Sequence, residues 1–477
     1  MLTSLPSCRR LLAAVSPFAI ALATPALAAD ITEAEKQEAR ATLTEIVSIR
    51  TAEGHGQLPR IAQTLASKLT AAGFDEEDIQ IIELDKGDEK IAALVVRYEG
   101  SDPSLKPIAV LGHMDVVDAL AENWESDPFV PVVREGYLYG RGAVDNKAGI
   151  AAVTTTFARL KRSGFQPERT LLIAFSGDEE TGMTTTRALT QHPWVKEAEF
   201  ALNSDAGSGE VENGKYTFNI QSAEKTFATY FVSASNRGGH SSAPRPDNAI
   251  YDLARALLEI EELEFPVQFN EITRGTVSRL AEDTPGEAGA ALKTLLTNPT
   301  NEAARETLKA YPQYTNILWT TCVATMLQAG NAENALPQNA TATVNCRIFP
   351  GTAVTEVQAT LAQAIGNDSI KITVDGEPME SPVSPIRPEL FSLLREAVHA
   401  NYPGATIEPS MSAGGTDGRE FRSAGIPTYG AGSLALRRPE DSRAHGTDER
   451  VPLEAFDKEL NYWDTLLRAV SRAGAAG

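Results

Sequence analysis

Three short apolar segments of this chain each run directly into histidine or carboxylate residues, and this pattern constrains the fold more than any other feature. The three transitions are residues 108–112 into His113 and Asp115, residues 170–176 into Glu179 and Glu180, and residues 199–204 into Asp205. Ligands of open α/β sheets bind where the strands end at their carboxyl edge. Alternate side chains of a strand share a face, so the first pair would point the same way. The pattern predicts a carboxylate-rich metal site, which Asp145 joins from the start of a helix-like segment.

The order of helix-like and strand-like segments predicts two domains. Through Asp205, apolar strands alternate with helices, which indicates an α/β fold with a mostly parallel sheet flanked by helices. Residues 223–380 instead read strand, helix, strand, strand, helix, strand, the order of a ferredoxin-like α+β domain. Residues 276–311 interrupt that order as a helical insertion. We therefore predict a main domain formed by residues 29–222 and 381–477, with the smaller domain inserted between them.

The N-terminal segment predicts export. Arg9 and Arg10 precede the apolar run 11–22, and Ala26-Leu27-Ala28 supplies a small-residue cleavage site, which is the layout of a signal peptide. We expect residues 1–28 to be removed and the mature protein to be periplasmic or secreted. No other segment has 18 unbroken apolar residues, so we expect no membrane association. The net charge of −21 also argues against nucleic acid as a partner.

Two cysteines, Cys322 and Cys346, follow the predicted signal peptide. They lie in strand-like segments on either side of a polar turn near Asn334, so a hairpin centred on that turn would place them opposite each other. An exported protein can form a disulfide there. Two buried thiols account for the same residues equally well.

The candidate ligands indicate the kind of metal. Imidazole combined with several carboxylates suits zinc, manganese, cobalt or iron better than calcium. The cluster is too acidic for a structural zinc site, which prefers cysteine and histidine. Two divalent ions would neutralise so many carboxylates, with a carboxylate and a water bridging them.

Five motifs carry a resemblance to a known family. GHMDVV, YGRGAVDNK, GDEETG, NSDAG and GGHSSAP occur here in that order and resemble the co-catalytic zinc peptidase family of aminoacylase-1, glutamate carboxypeptidase and succinyl-diaminopimelate desuccinylase. NATATVNCRIFPG and a late PED…HG segment look closest to carboxypeptidase S and the N-acyl-amino-acid hydrolases. The resemblance covers nearly the whole mature chain. It implies a zinc-peptidase-like catalytic domain, an inserted lid domain and a homodimer formed through that lid.

The resemblance also implies a set of five metal ligands. His113 and Asp205 would bind one ion, Glu180 and His445 would bind the other, and Asp145 would bridge the two. The metals would be two zinc ions, with cobalt or manganese as alternatives.

Further roles follow from the same resemblance. Asp115 would hydrogen-bond His113 and fix its tautomer, Glu179 would act as the general base, and His240 would polarise the scissile carbonyl. Arg347 would clamp a substrate carboxylate, although an ordinary strand arginine is the alternative.

The remaining candidates are expected near the substrate carboxylate. Asn334 matches the asparagine of the family's Asn-Val-Ile-Pro motif, which reads Asn-Ala-Leu-Pro in this chain. Gly414, Gly415 and Thr416 would form a backbone cradle for the carboxylate.

These residues predict a metal-dependent hydrolase that cleaves an amide or peptide bond next to a free α-carboxylate. Its substrates would be N-acyl-amino acids, dipeptides or short peptides. A serine hydrolase is disfavoured because no Gly-x-Ser-x-Gly motif occurs, and a structural zinc protein because no Cys-x-x-Cys occurs. The alternative is a metal-free binding protein that retains the fold.

Overall fold

The computed structural model describes residues 30–474, so the predicted signal peptide lies outside the described residues. The first part of the chain forms α1 (Glu33–Val47), α2 (Leu58–Ala71), β1 (Ile79–Lys86), β2 (Glu89–Tyr98), β3 (Ile108–His113), β4 (Val132–Arg134), β5 (Tyr137–Tyr139), α3 (Lys147–Arg162), β6 (Leu171–Ser176), α4 (Thr184–Gln191), β7 (Phe200–Glu212) and β8 (Lys215–Glu224).

The middle part forms a second group of elements. These are β9 (Thr226–Ser235), β10 (Gly239–His240), α5 (Ala249–Glu262), α6 (Glu271–Asp283), α7 (Gly286–Thr297), α8 (Glu302–Lys309), α9 (Pro312–Leu318), β11 (Thr321–Ala329), β12 (Ala335–Leu336), β13 (Asn339–Ile348), α10 (Val354–Ile365) and β14 (Lys371–Val374). The last part forms α11 (Pro388–His399), β15 (Thr406–Ser412), α12 (Gly418–Ser423), β16 (Thr428–Arg437), β17 (Arg450–Pro452) and α13 (Leu453–Val470).

The main sheet has eight strands in the order β1-β2-β6-β3-β7-β16-β8-β15. Parallel pairing joins β6, β3, β7 and β16 in its centre and β8 to β15 at one edge. The pairs β1–β2, β2–β6 and β8–β16 are antiparallel. Strands β3 and β6 are buried along their whole length, because helices cover both faces of the sheet. The predicted mostly parallel α/β sheet is confirmed.

The two faces of the main sheet form separate apolar layers. Val110 on β3 packs with residues of α1, α2, α3, α11 and α13 on one face. Its neighbours Ala109 and Leu111 point the other way, toward residues of α4 and α12. Because alternate residues of these central strands serve the two apolar layers, polar side chains that face a shared site are placed at the strand ends.

The inserted domain has the predicted ferredoxin-like fold. Its antiparallel strands lie in the order β11-β13-β9-β14, and α5 and α10 pack on one face of this sheet. Helices α6 to α9 lie between α5 and β11, where the helical insertion was predicted. The chain from Ile31 onward packs as one compact unit, so the domain boundaries at residues 222 and 380 stay predictions.

The hairpin prediction for the two cysteines is confirmed. Cys322 on β11 and Cys346 on β13 are directly opposite each other in the ladder, and a disulfide joins them. Of the two alternatives, the structure contains the bridge and not two thiols.

Within residues 30–474, no helix combines the length and the apolar character that crossing a bilayer requires.

Candidate metal centre

The strand ends meet at one edge of the main sheet, as the sequence predicts. β3 ends at His113, and its parallel neighbour β6 ends at Ser176, just before the loop that holds Glu179 and Glu180. The prediction for Asp205 is wrong in detail, because β7 does not end at Ser204 but continues to Glu212.

A bulge explains how Asp205 reaches the site from inside a strand. Asn203 pairs with Gly430 of β16, and Gly207 pairs with Gly432. Residues 204–206 therefore face a single residue of β16. Such bulges bend a strand and redirect a side chain.

Two imidazole rings face three carboxylates in this cluster. His113 Nε2 lies 2.9 Å from Asp145 Oδ1 and 3.3 Å from Asp205 Oδ1. His445 Nε2 lies 2.9 Å from Glu180 Oε1 and 3.1 Å from Asp145 Oδ2. The two oxygens of Asp145 thus face different imidazoles, which is the arrangement required of a carboxylate that bridges two ions. All five residues predicted as ligands lie together.

The chemistry of this donor set fits divalent cations. Ligand atoms of His113, Asp145 and Glu180 all lie within 4.8 Å of one another. Burial alone would lower the pKa of His113, but Asp205, Asp115 and Asp145 hold that pKa well above its ordinary value. Hydrogen bonds to Asp145 and Glu180 raise the pKa of His445 to about 10. The carboxylates therefore attract positive charge strongly, and a metal ion would replace the ring protons, since a ligating imidazole is neutral.

Asp115 does bond to His113, but through its main chain, and its carboxylate has other partners. Its Oδ1 accepts a hydrogen bond from the backbone N–H of Glu179 at 3.1 Å, and its Oδ2 accepts one from the N–H of Glu180 at 3.0 Å. His113 Nδ1 bonds instead to the main-chain carbonyl of Asp115 at 3.1 Å, and the carboxylate lies farther away at 3.5 Å. Asp115 therefore fixes the ring through its backbone and the 179–180 loop through its side chain.

Glu179 lies beside the ligands in surroundings that favour a proton on its carboxyl. Burial raises the pKa of the Glu179 carboxyl well above its ordinary value. His113 acts in the opposite direction, whereas the negative charges of Asp205, Asp417 and Glu180 raise this pKa further. A carboxyl that gains and loses a proton readily is what a general base of amide hydrolysis requires. Asp178, by contrast, accepts hydrogen bonds from the backbone of Thr184 and Thr185 at the start of α4, which is a structural role.

A buried ion pair that sequence reasoning missed holds the Asp145 loop. Glu449 accepts hydrogen bonds from the backbone N–H groups of Val144 and Asp145 at 2.9 and 3.1 Å, and its partner Arg141 lies 2.7 Å away. Arg141 also donates to the carbonyl of His445 at 3.2 Å. The pair therefore connects the two loops that carry Asp145 and His445. No local pattern marks Glu449 in the sequence, because its partners lie about 300 residues earlier.

Arg347 and the 414–416 segment lie next to each other at the base of the lid. The guanidinium of Arg347 stacks on the Phe227 ring at 4.7 Å and donates to the carbonyl of Ala413 at 3.3 Å. Thr416 donates to Glu224 at 3.2 Å, and Glu224 is fully buried with Arg422 at 2.8 Å. Sequence reasoning also missed Glu224 and Arg422, which anchor this segment.

His240 and Asn334 form a second group on the lid. The short strand β10 pairs with β12, and the N–H of Ser241 donates to the carbonyl of Asn334 at 3.0 Å. His240 is exposed, and its Nδ1 bonds to Ser242 Oγ at 2.8 Å. The structure therefore brings these two residues together, but not with the metal ligands, and their roles stay predictions.

A lid inserted into a mostly parallel α/β sheet, with paired imidazoles and carboxylates at the sheet edge, defines a metal-dependent amide hydrolase. A family model described as peptidase family M20/M25/M40 matches residues 109–469. The chain belongs to this family, which confirms the resemblance carried by the five motifs.

Individual relatives agree with the family assignment. The N-fatty-acyl-amino acid synthase/hydrolase PM20D1 of Homo sapiens is 28% identical over 374 residues, covering 76% of this chain and 74% of the relative. Probable carboxypeptidase S-like 2 of Dictyostelium discoideum is 26% identical over 403 residues, covering 79% and 74%. The solved M20 metallo-carboxypeptidase Sso-CP2 from Sulfolobus solfataricus has a TM-score of 0.68 at 17% identity, covering 90% of this chain and 98% of that chain. At that identity the comparison shows the shared fold.

Proposed function

We propose that this protein hydrolyses the amide bond of N-acyl-amino acids or short peptides that end in a free α-carboxylate, with two zinc ions bound at the candidate metal centre. The observation that carries the proposal is the position of Asp145, whose two carboxylate oxygens face His113 and His445 separately. The relatives that cleave N-fatty-acyl-amino acids or carry a carboxypeptidase name support the substrate class.

Each of the candidate residues has a separate role in the proposed reaction. Bound divalent ions supply the Lewis acidity that activates a water molecule and polarises a carbonyl. Glu179 accepts the proton of the attacking water and delivers it to the leaving nitrogen. His240 donates a hydrogen bond to the oxygen on which negative charge develops. Asp115 holds the loop that carries Glu179 and Glu180, and Glu449 holds the loop that carries Asp145.

Arg347 is proposed as the group that selects a free carboxylate. A guanidinium presents a planar fork of donors that suits a carboxylate, and Phe227 holds this one in place from one side. The backbone at Gly414 and Gly415 lies beside Ala413, the residue that Arg347 contacts. An amide or ester at the substrate terminus would lose the charge that this fork recognises.

We further propose that the protein is a homodimer whose partner covers strand β11. This strand lies at the edge of the lid sheet, and Val323, Met326 and Leu327 on it are 60%, 59% and 58% exposed. An exposed apolar edge strand readily pairs with another strand. Pairing of two lids would also offer the exposed His240 of one chain to the metal centre of its partner.

Export to the periplasm or the medium is proposed from two observations. Residues 1–28 have the layout of a signal peptide. A disulfide joins Cys322 and Cys346, and such bridges persist in oxidising compartments.

A hydrolysis panel tests the proposed function. The purified protein is assayed with N-acyl-amino acids, dipeptides and their C-terminally amidated counterparts, before chelation, after chelation, and after addition of zinc, cobalt or manganese. We expect chelator-sensitive cleavage of the free-carboxylate substrates, restored most fully by zinc. Metal-loaded protein that cleaves none of them, but binds them in calorimetry, would favour the binding-protein alternative.

A further inference from the structure

The helical insertion between α5 and β11 forms one wall of a cleft that reaches the metal centre. A cavity of about 520 Å³ is lined by Asp205, by residues of β15, and by Leu280 of α6 with Tyr314 and Ile317 of α9. The insertion is thus part of the space in which a substrate would lie, although nothing in the sequence indicates its purpose.

Contacts with the main domain hold this wall in place. Arg279 of α6 bonds to Glu408 of β15 at 2.5 Å, and Thr276 donates to the carbonyl of Pro409 at 3.3 Å. Ile272 of α6 is completely buried in a cluster with Met411. The wall is therefore attached to the main sheet itself and not to the lid alone.

The position of this cavity relative to the carboxylate site identifies the part of a substrate that it would receive. Ser412 and Thr416, which flank the Gly414–Gly415 segment, line it together with Asp205. A second cavity of about 370 Å³ also reaches Asp205, but it is lined by Asp145 and by β16 and not by the 412–416 segment. The insertion-walled cavity therefore includes the segment proposed to bind the carboxylate. The second cavity shares Asp205, Gly207, Ser208 and Arg438 with it but extends to Asp145.

We propose that α6 and α9 form the pocket for the side chain of the substrate's carboxylate-bearing amino acid, and that this pocket selects large uncharged side chains. This inference rests on the proposed function, in which the carboxylate is bound near Arg347 and the scissile carbonyl at the metal centre. The atoms between those two points include the α-carbon that carries the side chain. The second cavity is left for the acyl group.

The charges of the wall support an uncharged occupant. Arg279 is paired with Glu408 and Asp283, and Arg438 lies 3.4 Å from Glu210. Because these charges are matched within the protein, they offer no net attraction to a charged side chain. On the insertion side, Leu280, Tyr314 and Ile317 offer apolar surface beside the neutral polar residues Gln313 and Asn316. This part of the wall therefore suits a large uncharged side chain.

Substitutions in the wall test the proposal. Gln313 lines the cavity from an exposed position on α9, so Gln313→Trp adds an indole there without disturbing the apolar core. Leu280→Ala removes an apolar contact from α6. Ala303→Trp is the matched control, since Ala303 is exposed on α8 of the same insertion and does not line the cavity. Each variant is assayed as the metal-loaded full chain, with its folding checked by circular dichroism.

Two substrate series separate the side chain from the acyl group. One series keeps the acetyl group and varies the amino acid through alanine, phenylalanine and tryptophan; the other keeps alanine and lengthens the acyl group. We expect wild-type kcat/KM to favour the aromatic substrates. Gln313→Trp and Leu280→Ala should lower the aromatic-to-alanine ratio about tenfold, a size typical of lost or blocked pocket contacts, and Ala303→Trp should leave it unchanged.

The outcomes distinguish this inference from the function on which it rests. If folded, active variants keep the wild-type ratio for amino acids, or change the acyl series instead, the side-chain pocket is overturned while the hydrolase stands. If the metal-loaded wild type cleaves no substrate of either series, the proposed function fails and the pocket assignment fails with it.

Discussion

Glu179 and Glu180 are adjacent, yet their surroundings suit them to different work. Asp115 accepts hydrogen bonds from both of their backbone N–H groups, so the turn between them is fixed. Glu180 then faces His445 at 2.9 Å, whereas the Glu179 carboxyl is buried beside the cluster with a raised pKa. A rigid backbone would allow Glu180 to serve as the proposed ligand while Glu179 takes and returns the proton.

Replacement of Glu179 by glutamine should remove turnover and leave the metal in place. The amide keeps the size of the side chain but cannot accept the proton of the water, so we expect kcat to fall by a factor of about 10² to 10⁴. Metal content is measured by elemental analysis alongside kcat. Glu180→Gln is the matched control and should lower metal content as well. A Glu179→Gln protein that keeps about a tenth of wild-type kcat would contradict the general-base role.

Replacement of Arg347 by alanine should weaken the binding of substrates with a free carboxylate. Loss of a charge-assisted hydrogen bond of about 1.5–3 kcal/mol corresponds to a rise in KM of roughly tenfold or more. KM for a C-terminally amidated substrate should change little, and this comparison is the measurement. Arg245→Ala serves as the control, because Arg245 is a lid arginine paired with Asp247. Equal effects of Arg347→Ala on both substrate types would rule out the carboxylate clamp.

At the scale of single residues, the sequence predicts side chains that follow strands or belong to a motif. His113, Glu180 and Asp205 could be placed together because their strands are parallel neighbours. Glu449 and Glu224 could not, because each satisfies partners that are distant in sequence and only the folded chain brings them close.

At the scale of elements, the order of helices and strands along the chain, the helical insertion and the cysteine hairpin were predictable, but the length of β7 was not. The cysteine register follows from a symmetrical turn, and the structure has it. The continuation of β7 through Asp205 depends on its hairpin with β8 and on a bulge against β16. Neither the hairpin nor the bulge leaves a periodic pattern in the sequence, because the apolar segment that marks β7 ends before Asp205.

The connection between β8 and β9 contains a buried lysine with a testable effect on stability. Lys225 is completely buried and donates to the carbonyl of Trp319 at 2.5 Å. Burial lowers the pKa of Lys225 from 10.5 to about 7, and the nearby Arg347 acts in the same direction. At a pH between about 7 and 10.5, the Lys225 amine is neutral in the folded state and charged in the unfolded state. Unfolding therefore takes up a proton, and the free energy of unfolding falls as the pH is lowered through this window.

Lys225→Met should remove that pH dependence. Between about pH 10 and about pH 7, the wild type should lose on the order of 2 kcal/mol more stability than the variant. Thermal unfolding of both proteins at the two pH values measures the difference. Lys293→Met is the control, since Lys293 is exposed on α7, and it should unfold like the wild type at both values. An identical pH dependence in Lys225→Met and wild type would show that Lys225 does not titrate as proposed.

At the scale of the whole molecule, a buried polar network links the lid to the main sheet. Glu224, at the end of β8, pairs with Arg422 at 2.8 Å. The returning chain is attached nearby, where the N–H of Ser381 donates to Thr226 at 3.1 Å. Removing one partner of a buried pair is strongly destabilising, so this network constrains how the lid joins the main domain. The same network reaches Thr416, and it therefore couples the lid connection to the proposed carboxylate site.

The exposed position of His240 leads to a prediction about the proposed dimer. If His240 serves the metal centre of the partner, a heterodimer of Glu179→Gln and His240→Ala chains contains one complete site, formed by Glu179 of one chain and His240 of the other. Each homodimer contains none. We therefore expect both single variants to be inactive and the co-expressed, doubly tagged heterodimer to recover about half of wild-type kcat per dimer. A heterodimer of Glu179→Gln and Glu179→Gln/His240→Ala chains is the control and should stay inactive. If the heterodimer of the two single-variant chains is inactive, His240 acts in the site of its own chain. Only action across the dimer allows the two defects to complement each other.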